Sequence, residues 1–137
     1  MSVKASERGE SPIEFLKVLR DLEVYFIRLA SNKPKKFRFF LNDELLKISA
    51  DAYNNAKAGN SIYPTTKMEK DLRAKYFYTA FCNVQMMISQ TEVLYDVYKS
   101  DALSNKELEI MSGKMYEASK MLRGILKKDR ERFKKLE

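Results

Sequence analysis

Four stretches of this chain place their apolar residues at alternating steps of three and four. In the first stretch Phe15, Leu19, Leu22, Phe26 and Leu29 follow this spacing. Because an α-helix turns once every 3.6 residues, the spacing puts these side chains on one face of a helix. Alternation of the β type, bounded by hairpin turns, is missing. The sequence therefore predicts an all-α fold.

Capping signals and helix breakers divide the chain. Ser11, Pro12 and Glu14 predict a helix start, and Gly59 predicts a helix end with a left-handed cap. Further capping boxes are expected at Thr66 and Ser104, each with a glutamate three residues later. We expect a flexible N-terminal arm over residues 1–10, followed by one domain over residues 11–137. Its helices are expected over residues 12–31, 34–58, 67–98 and 105–134.

The connection between the first two predicted helices is very short. Asn32 and Lys33 precede Pro34, which can begin a helix but cannot continue one. Two long helices joined in this way must form an antiparallel hairpin. With 137 residues, enough for one core, the chain is expected to form an antiparallel up-down-up-down four-helix bundle.

The third predicted helix carries more apolar surface than one bundle face needs. Its inner seam is expected at Leu72, Tyr76, Ala80, Val84, Met87, Thr91, Leu94 and Tyr98. A second seam is expected at Phe77, Phe81, Ile88 and Tyr95. The second seam predicts a subunit interface of a homo-oligomer, and the alternative is deep burial of a central helix.

The composition argues against catalysis. The chain has no histidine and one cysteine, Cys82, and its four glycines are too scattered for a nucleotide-binding loop. We therefore expect a non-enzymatic protein without metal or cofactor. A single cysteine favours a reducing, cytoplasmic location. The absence of a long apolar run predicts no membrane span.

Basic residues exceed acidic ones, 26 to 19, and the excess is clustered. Residues 120–137 hold eight basic and three acidic residues, a net charge of +5. A second cluster surrounds Pro34 at the opposite end of the predicted bundle, and a third opens the third helix. The candidate nucleic-acid-binding residues are Lys33, Lys35, Lys36, Arg38, Lys67, Lys70, Arg73, Lys120, Arg123, Lys127, Lys128, Arg130 and Arg132.

Other interpretations of the charge stay open. Cations near a helix C-terminus also complement the helix dipole, so the cluster can be a solvated helix end. A bundle that binds only proteins, with charge serving solubility, is the main alternative function. Attachment of the tail to a membrane surface is disfavoured because residues 127–137 offer only Phe133 and Leu136 as apolar anchors.

Short motifs carry a family resemblance. The turn Lys33-Pro34-Lys35-Lys36-Phe37, the long third helix and the run Met121-Leu122-Arg123-Gly124-Ile125-Leu126 resemble the four-helix-bundle family of Avd and of proteins encoded in ribosomal-RNA intervening sequences. Avd is the accessory protein of diversity-generating retroelements. The resemblance covers roughly residues 13–128. It implies a homopentameric barrel that binds RNA or complementary DNA and a reverse transcriptase, and that assists mutagenic complementary-DNA synthesis.

Overall fold

The computed structural model describes the backbone of residues 5–136 and the side chains of residues 13–136. Its five α-helices are α1 (Ala5–Ser31), α2 (Lys35–Arg38), α3 (Lys47–Asn60), α4 (Lys67–Tyr98) and α5 (Asn105–Arg132). A π-helical segment, Phe39–Leu46, joins α2 to α3 without a break, and a 3-10 turn, Lys99–Asp101, follows α4. We call α2, the π-helical segment and α3 together the composite helix. The described residues thus form four helical rods and no strand, which confirms the predicted all-α class.

The four rods pack as a ring in chain order. α1 lies against α3 and α5, and α4 lies against the same two helices on the other side. Each rod is therefore adjacent to the next, and the last is adjacent to the first, as in an up-down-up-down bundle. The residues of the predicted inner stripe of α1 are all buried, as are those of the composite helix: Phe37, Leu41, Leu45, Ile48 and Ala52.

Two ion pairs identify the ends of the bundle. At one end, Lys33 in the α1–α2 connection contacts Glu107 in the first turn of α5. At the other end, Arg73 near the start of α4 contacts Asp129 near the end of α5. We call these the turn end and the tail end. The basic clusters around Pro34 and along the end of α5 therefore lie at opposite ends, as the sequence predicts.

Helix α1 begins earlier than the sequence predicts. It starts at Ala5, so residues 5–10 belong to the helix and the expected start at Pro12 is wrong. Pro12 therefore lies inside the helix instead of at its first position, and it destabilises the helix there because it has no backbone N–H to donate. Residues 1–4 of the predicted arm lie outside the described residues.

The composite helix ends at Asn60, and Gly59 does not take the left-handed conformation predicted for it. Gly59 is instead buried inside the last turn, where α3 and α4 come close together. A Cβ atom at Gly59 would lie 3.2 Å from Cβ of Tyr76 and 3.3 Å from ring atoms of Phe77. Glycine thus favours close helix packing here and does not serve a backbone turn.

Helices α4 and α5 have hydrogen-bonded caps at their N-termini. The Ser104 hydroxyl accepts from the N–H of Glu107, and the Glu107 carboxylate accepts from the N–H of Ser104. At α4 the Thr66 hydroxyl accepts from the N–H of Glu69, and the Glu69 carboxylate accepts from the N–H and the hydroxyl of Thr65. The hydroxyl and N–H of Thr65 are the main reason that the pKa of Glu69 lies below its ordinary value.

Candidate nucleic-acid interface

Four of the predicted basic residues form one exposed line along α5. They are Lys120, Arg123, Lys127 and Arg130. Steps of three and four residues keep them within one sector of the helix, one cation for each turn. We call these four residues the basic strip. It presents positive charge at intervals of about 5 Å along a straight surface.

Aromatic side chains of α4 contact the basic strip. The Arg123 guanidinium lies 5.6 Å from the ring centroid of Phe81, and an Arg130 nitrogen lies 3.4 Å from the Tyr78 hydroxyl. Tyr78 is 48% exposed, so one side of its ring faces solvent. The basic strip therefore borders the groove between α4 and α5. The exposed ring of Tyr78 lies beside the part of the strip that is nearest the tail end.

At the tail end this groove deepens into a cleft. Its lining combines cations, an aromatic ring and apolar surface, from Lys70, Ala74, Tyr78, Leu126, Asp129, Arg130 and Phe133. The cleft is therefore positive at its rim and apolar at its floor. Such a surface can contact a phosphate and the face of a base at the same time.

Arg73 is a structural residue, and its assignment as a surface phosphate ligand is wrong. It is only 4% exposed. Its Nε lies 2.6 Å from Oδ2 of Asp129, and its Nη1 donates to the carbonyl of Ile62 at 2.8 Å. Its guanidinium also lies between the rings of Phe77 and Phe133, at 4.9 and 5.6 Å. The charge of Arg73 is thus used to hold the loop over residues 61–66 and the end of α5 against α4.

The turn end keeps most of its basic residues on the surface, apart from Lys33. Lys35, Lys36 and Arg38 are exposed, and Lys36 lies 4.9 Å from the ring of Phe37. Lys33 is directed inward, and its Nζ lies 2.6 Å from Oε1 of Glu107. This cluster lies away from the basic strip, so the structure does not bring the two together.

Glu107 has a perturbed pKa because of these contacts. Burial by itself raises the pKa of Glu107, but the hydrogen bonds from Lys33 and Ser104 outweigh burial and hold it below the ordinary value of 4.5. The pKa of Tyr25 is raised, first by burial and then by the charge of Glu107. Glu107 is therefore an ionised link between the α1–α2 connection and α5.

The remaining predicted basic residues lie around the tail end. Lys67 is exposed and 3.8 Å from Asp71, a weak pair between neighbouring turns. Lys128 lines the groove between α5 and α1, which Lys120 of the basic strip also borders. Arg132 packs with its guanidinium 5.7 Å from the ring of Phe133. These residues add positive charge near the cleft without forming part of the strip.

The predicted subunit interface is only partly on the surface. Phe77 is fully buried in the core, so its assignment to an interface is wrong. Phe81, Ile88 and Tyr95 are half-buried. Ile88 and Tyr95 line the part of the α4–α5 groove nearer the turn end, together with the acidic side chains of Glu92 and Asp96. The groove therefore changes from basic at the tail end to acidic toward the turn end.

Helix α4 also carries an exposed apolar stripe that is not among the features predicted from the sequence. Its members are Met68, Leu72, Met86, Val93 and Val97. Leu72 and Tyr98, which are predicted for the inner seam, are both exposed. The three steps of four residues from Leu72 to Val84 drift by about 40° each, so Leu72 lies off the core face, whereas Tyr98 is the last residue of α4. Recurrence at seven residues is the signal that identifies the stripe.

Comparisons with known proteins give no match: no family profile, curated protein or solved structure is significantly similar to the chain. Among the described residues, no helix has both the length and the apolar content needed to cross a bilayer. No three His, Cys, Asp or Glu side chains in the described part of the chain are placed to share a metal ion.

Proposed function

We propose that this protein is a non-enzymatic nucleic-acid-binding protein that holds RNA or complementary DNA along the basic strip of α5. The observation that supports the proposal is the strip itself, with four exposed cations in one line beside the half-exposed ring of Tyr78. Phosphates are bound by such an array through charge, and bases can stack on the ring. Neither contact requires a particular base sequence, so the binding is expected to be of low sequence specificity.

The resemblance to the Avd family extends this proposal. It assigns the protein as a cytoplasmic, homo-oligomeric accessory factor of a retroelement reverse transcriptase, supporting mutagenic complementary-DNA synthesis. The subunit contacts of the oligomer would involve the half-buried Phe81, Ile88 and Tyr95. Several copies of the basic strip in one assembly would raise the affinity through avidity by roughly two to four orders of magnitude. A reverse transcriptase gene next to the gene for this protein would support the assignment.

Salt-dependent binding tests the nucleic-acid part of the proposal. Fluorescence anisotropy would measure the affinity for labelled single-stranded RNA, single-stranded DNA and duplex DNA between about 50 and 200 mM salt. Lys127→Gln with Arg130→Gln removes two charges from the basic strip. If both residues contact phosphates, the log-log salt slope falls by roughly 1.8 on duplex and 1.4 on a single strand.

The matched control is Lys35→Gln with Lys36→Gln at the turn end, which removes the same number of charges. We expect this pair to leave the slope nearly unchanged. Equal losses in both variants would show that net charge alone attracts the nucleic acid. Absence of binding by the unaltered protein would favour the second candidate function, a bundle that binds only proteins through the apolar surface of α4.

A further inference from the structure

The exposed stripe on α4 follows a regular spacing. Leu72, Thr79, Met86 and Val93 recur every seven residues, and all four are exposed. Met68 and Val97 extend the line by four residues at either end, and they are 77% and 63% exposed. Since each residue turns an α-helix by about 100°, all six lie within about 60° of one another around the axis. The stripe is about 44 Å long and has no covering element among the described residues.

The spacing of the stripe is symmetric about its centre, with steps of four, seven, seven, seven and four residues. When Leu72 is set opposite Val93 of a second, antiparallel copy, Thr79 falls opposite Met86 and Met68 opposite Val97. In the same register Lys75 falls opposite Gln90, so the cation on the stripe meets an amide. A two-fold axis requires this kind of self-complementary surface, in which each contact occurs twice.

We propose that α4 pairs antiparallel with α4 of a second copy of this chain, about a two-fold axis that passes beside Cys82. The heptad spacing matches the geometry in which two helices pack side chains along a narrow seam. The seam would cover the stripe in both copies. It differs from the surface formed by Phe81, Ile88 and Tyr95, which faces α5, so the inference does not depend on the proposed function.

Charge complementarity favours the antiparallel direction. The first turns of α4 carry Lys67, Lys70 and Lys75 together with Glu69 and Asp71, and the last turns carry Glu92 and Asp96. The contact of Lys67 with Asp71 of its own helix is an exposed pair at 3.8 Å, which is weak enough to exchange for a partner in a second copy. Lys67 and Asp96 lie on the same flank of the stripe, because they are close to eight full turns apart. An antiparallel pair brings Lys67 of each copy beside Asp96 of the other. A parallel pair would place like charges together at both ends.

The composition of the stripe argues against nucleic acid as its occupant. It has no aromatic side chain and includes one cation, Lys75, whereas single-stranded nucleic acid binds to rings and to several cations. Exposed apolar stripes rimmed by charge are typical of protein contacts. A second copy supplies both the apolar surface and the complementary charge in one register.

Cys82 provides a direct test of the register. The thiol is exposed, and residue 82 lies within one position of the proposed axis. Oxidation of the full-length protein by copper-phenanthroline and oxygen should convert it to a disulfide-linked dimer, with two protons and two electrons lost from each thiol pair. Cys82→Ser removes the only thiol and should give no cross-link.

Moving the thiol distinguishes the antiparallel pair from a parallel one. In the Cys82→Ser background, Thr79→Cys alone should not cross-link, because the two copies of residue 79 would be about 10 Å apart along the axis. A mixture of Thr79→Cys and Met86→Cys proteins should form a heterodimeric disulfide. Efficient cross-linking of Thr79→Cys with itself would overturn the antiparallel register.

Sedimentation velocity tests the association without a cross-link. Met86→Lys places a charge in the seam and should shift the protein toward a smaller species by at least tenfold in dissociation constant. Ile27→Lys on α1 is the matched control, since Ile27 and Met86 are 46% and 50% exposed, and it should leave the association unchanged. Circular dichroism checks that both variants fold.

Exchanging the charges of Lys67 and Asp96 tests whether the association can be lost and then restored. Lys67→Glu should weaken the association several-fold, and adding Asp96→Lys should restore it. Both changes suit the helix dipole, so loss of folding is not the expected cause of an effect. A monomer at all concentrations up to about 200 μM, or an oligomer that Met86→Lys leaves intact, would overturn the proposal.

Discussion

Arg73 holds Asp129 across the tail end of the bundle, although the two residues are 56 positions apart in the chain. The same guanidinium binds the carbonyl of Ile62, so one buried cation connects α4, α5 and the loop between α3 and α4. Because its charge is neutralised inside the protein, the electrostatic potential of the tail end comes from the surface cations around it. The Arg73–Asp129 ion pair therefore fixes the position of the C-terminal end of α5, which carries part of the basic strip.

Loss of the Arg73 side chain should destabilise the protein strongly. Arg73→Ala leaves the Asp129 carboxylate poorly solvated and unpaired, which typically costs about 3–5 kcal/mol. Urea unfolding followed by circular dichroism measures the change. Lys67→Ala, which removes one partner of an exposed pair, should cost less than about 1 kcal/mol. Similar losses in the two variants would contradict the structural role of Arg73.

Glu107 should control part of the acid limb of the stability curve. Its pKa is lowered in the folded protein, so it stabilises the fold above its unfolded pKa, near 4.5. That contribution is lost as the pH falls through the lower, folded-state pKa. Glu107→Gln should reduce the free energy of unfolding at pH 7 by about 1 kcal/mol and should lose less stability between about pH 5 and 3.

The pH measurement needs a reference because Glu69 titrates in the same range, its pKa being lowered as well. Subtracting the Glu107→Gln curve from that of the unaltered protein isolates Glu107. Lys33→Gln should remove part of the same difference. A difference curve that is flat with pH would exclude an ionised link between Lys33 and Glu107.

Two glycines in helices should respond to alanine in opposite directions. At Gly59 an added methyl group meets Tyr76 and Phe77, which are fixed by backbone and core packing, so we expect a loss of about 1–3 kcal/mol. At Gly124 an added methyl group has open space and improves helix propensity, a gain of up to about 1 kcal/mol. Thermal unfolding of the two variants measures these changes in stability. Changes of the same sign in both variants would refute the packing explanation.

Tyr78 should matter for single strands more than for duplex. Tyr78→Ala removes the exposed ring beside Arg130, and loss of a stacked base typically costs about 1–3 kcal/mol. The affinity for single-stranded RNA should fall accordingly, while duplex binding should change little, since paired bases cannot stack on the ring. Tyr116→Ala is the control, because Tyr116 is also exposed but lines the acidic part of the groove.

The fold could be predicted where one apolar face decides the structure. The inner stripe of α1 and the capping box of Ser104 depend on residues close in sequence, and both are present. The role of Gly59 could not be predicted, because the contact that favours glycine comes from Tyr76 and Phe77 on another helix. When only the residues adjacent in sequence are considered, a glycine near a helix end is interpreted as a left-handed cap.

Prediction of the candidate site is limited in the same way by contacts between residues that are far apart in the sequence. Lys127 and Arg130 could be identified as surface cations because their helix turns them outward. Arg73 could not be separated from them, because its burial depends on contacts with Asp129 and Phe133, which come from a distant part of the chain, as well as with Phe77 on the next turn of α4. Charge in the sequence predicts the sign of a surface only where the side chain reaches that surface.

The π-helical segment gives the composite helix one residue more than a regular α-helix needs to span the same turn. Hydrogen bonds that skip five positions enclose one residue more per turn than the α-helical pattern does. Deleting one exposed position within Phe39–Leu46, such as Asn42, would let this turn tighten while the face of α3 kept its direction toward α4. The same deletion in α4 would rotate every later side chain by about 100° and turn the core residues outward. Length variation in this protein is therefore tolerated in one rod and forbidden in its neighbour.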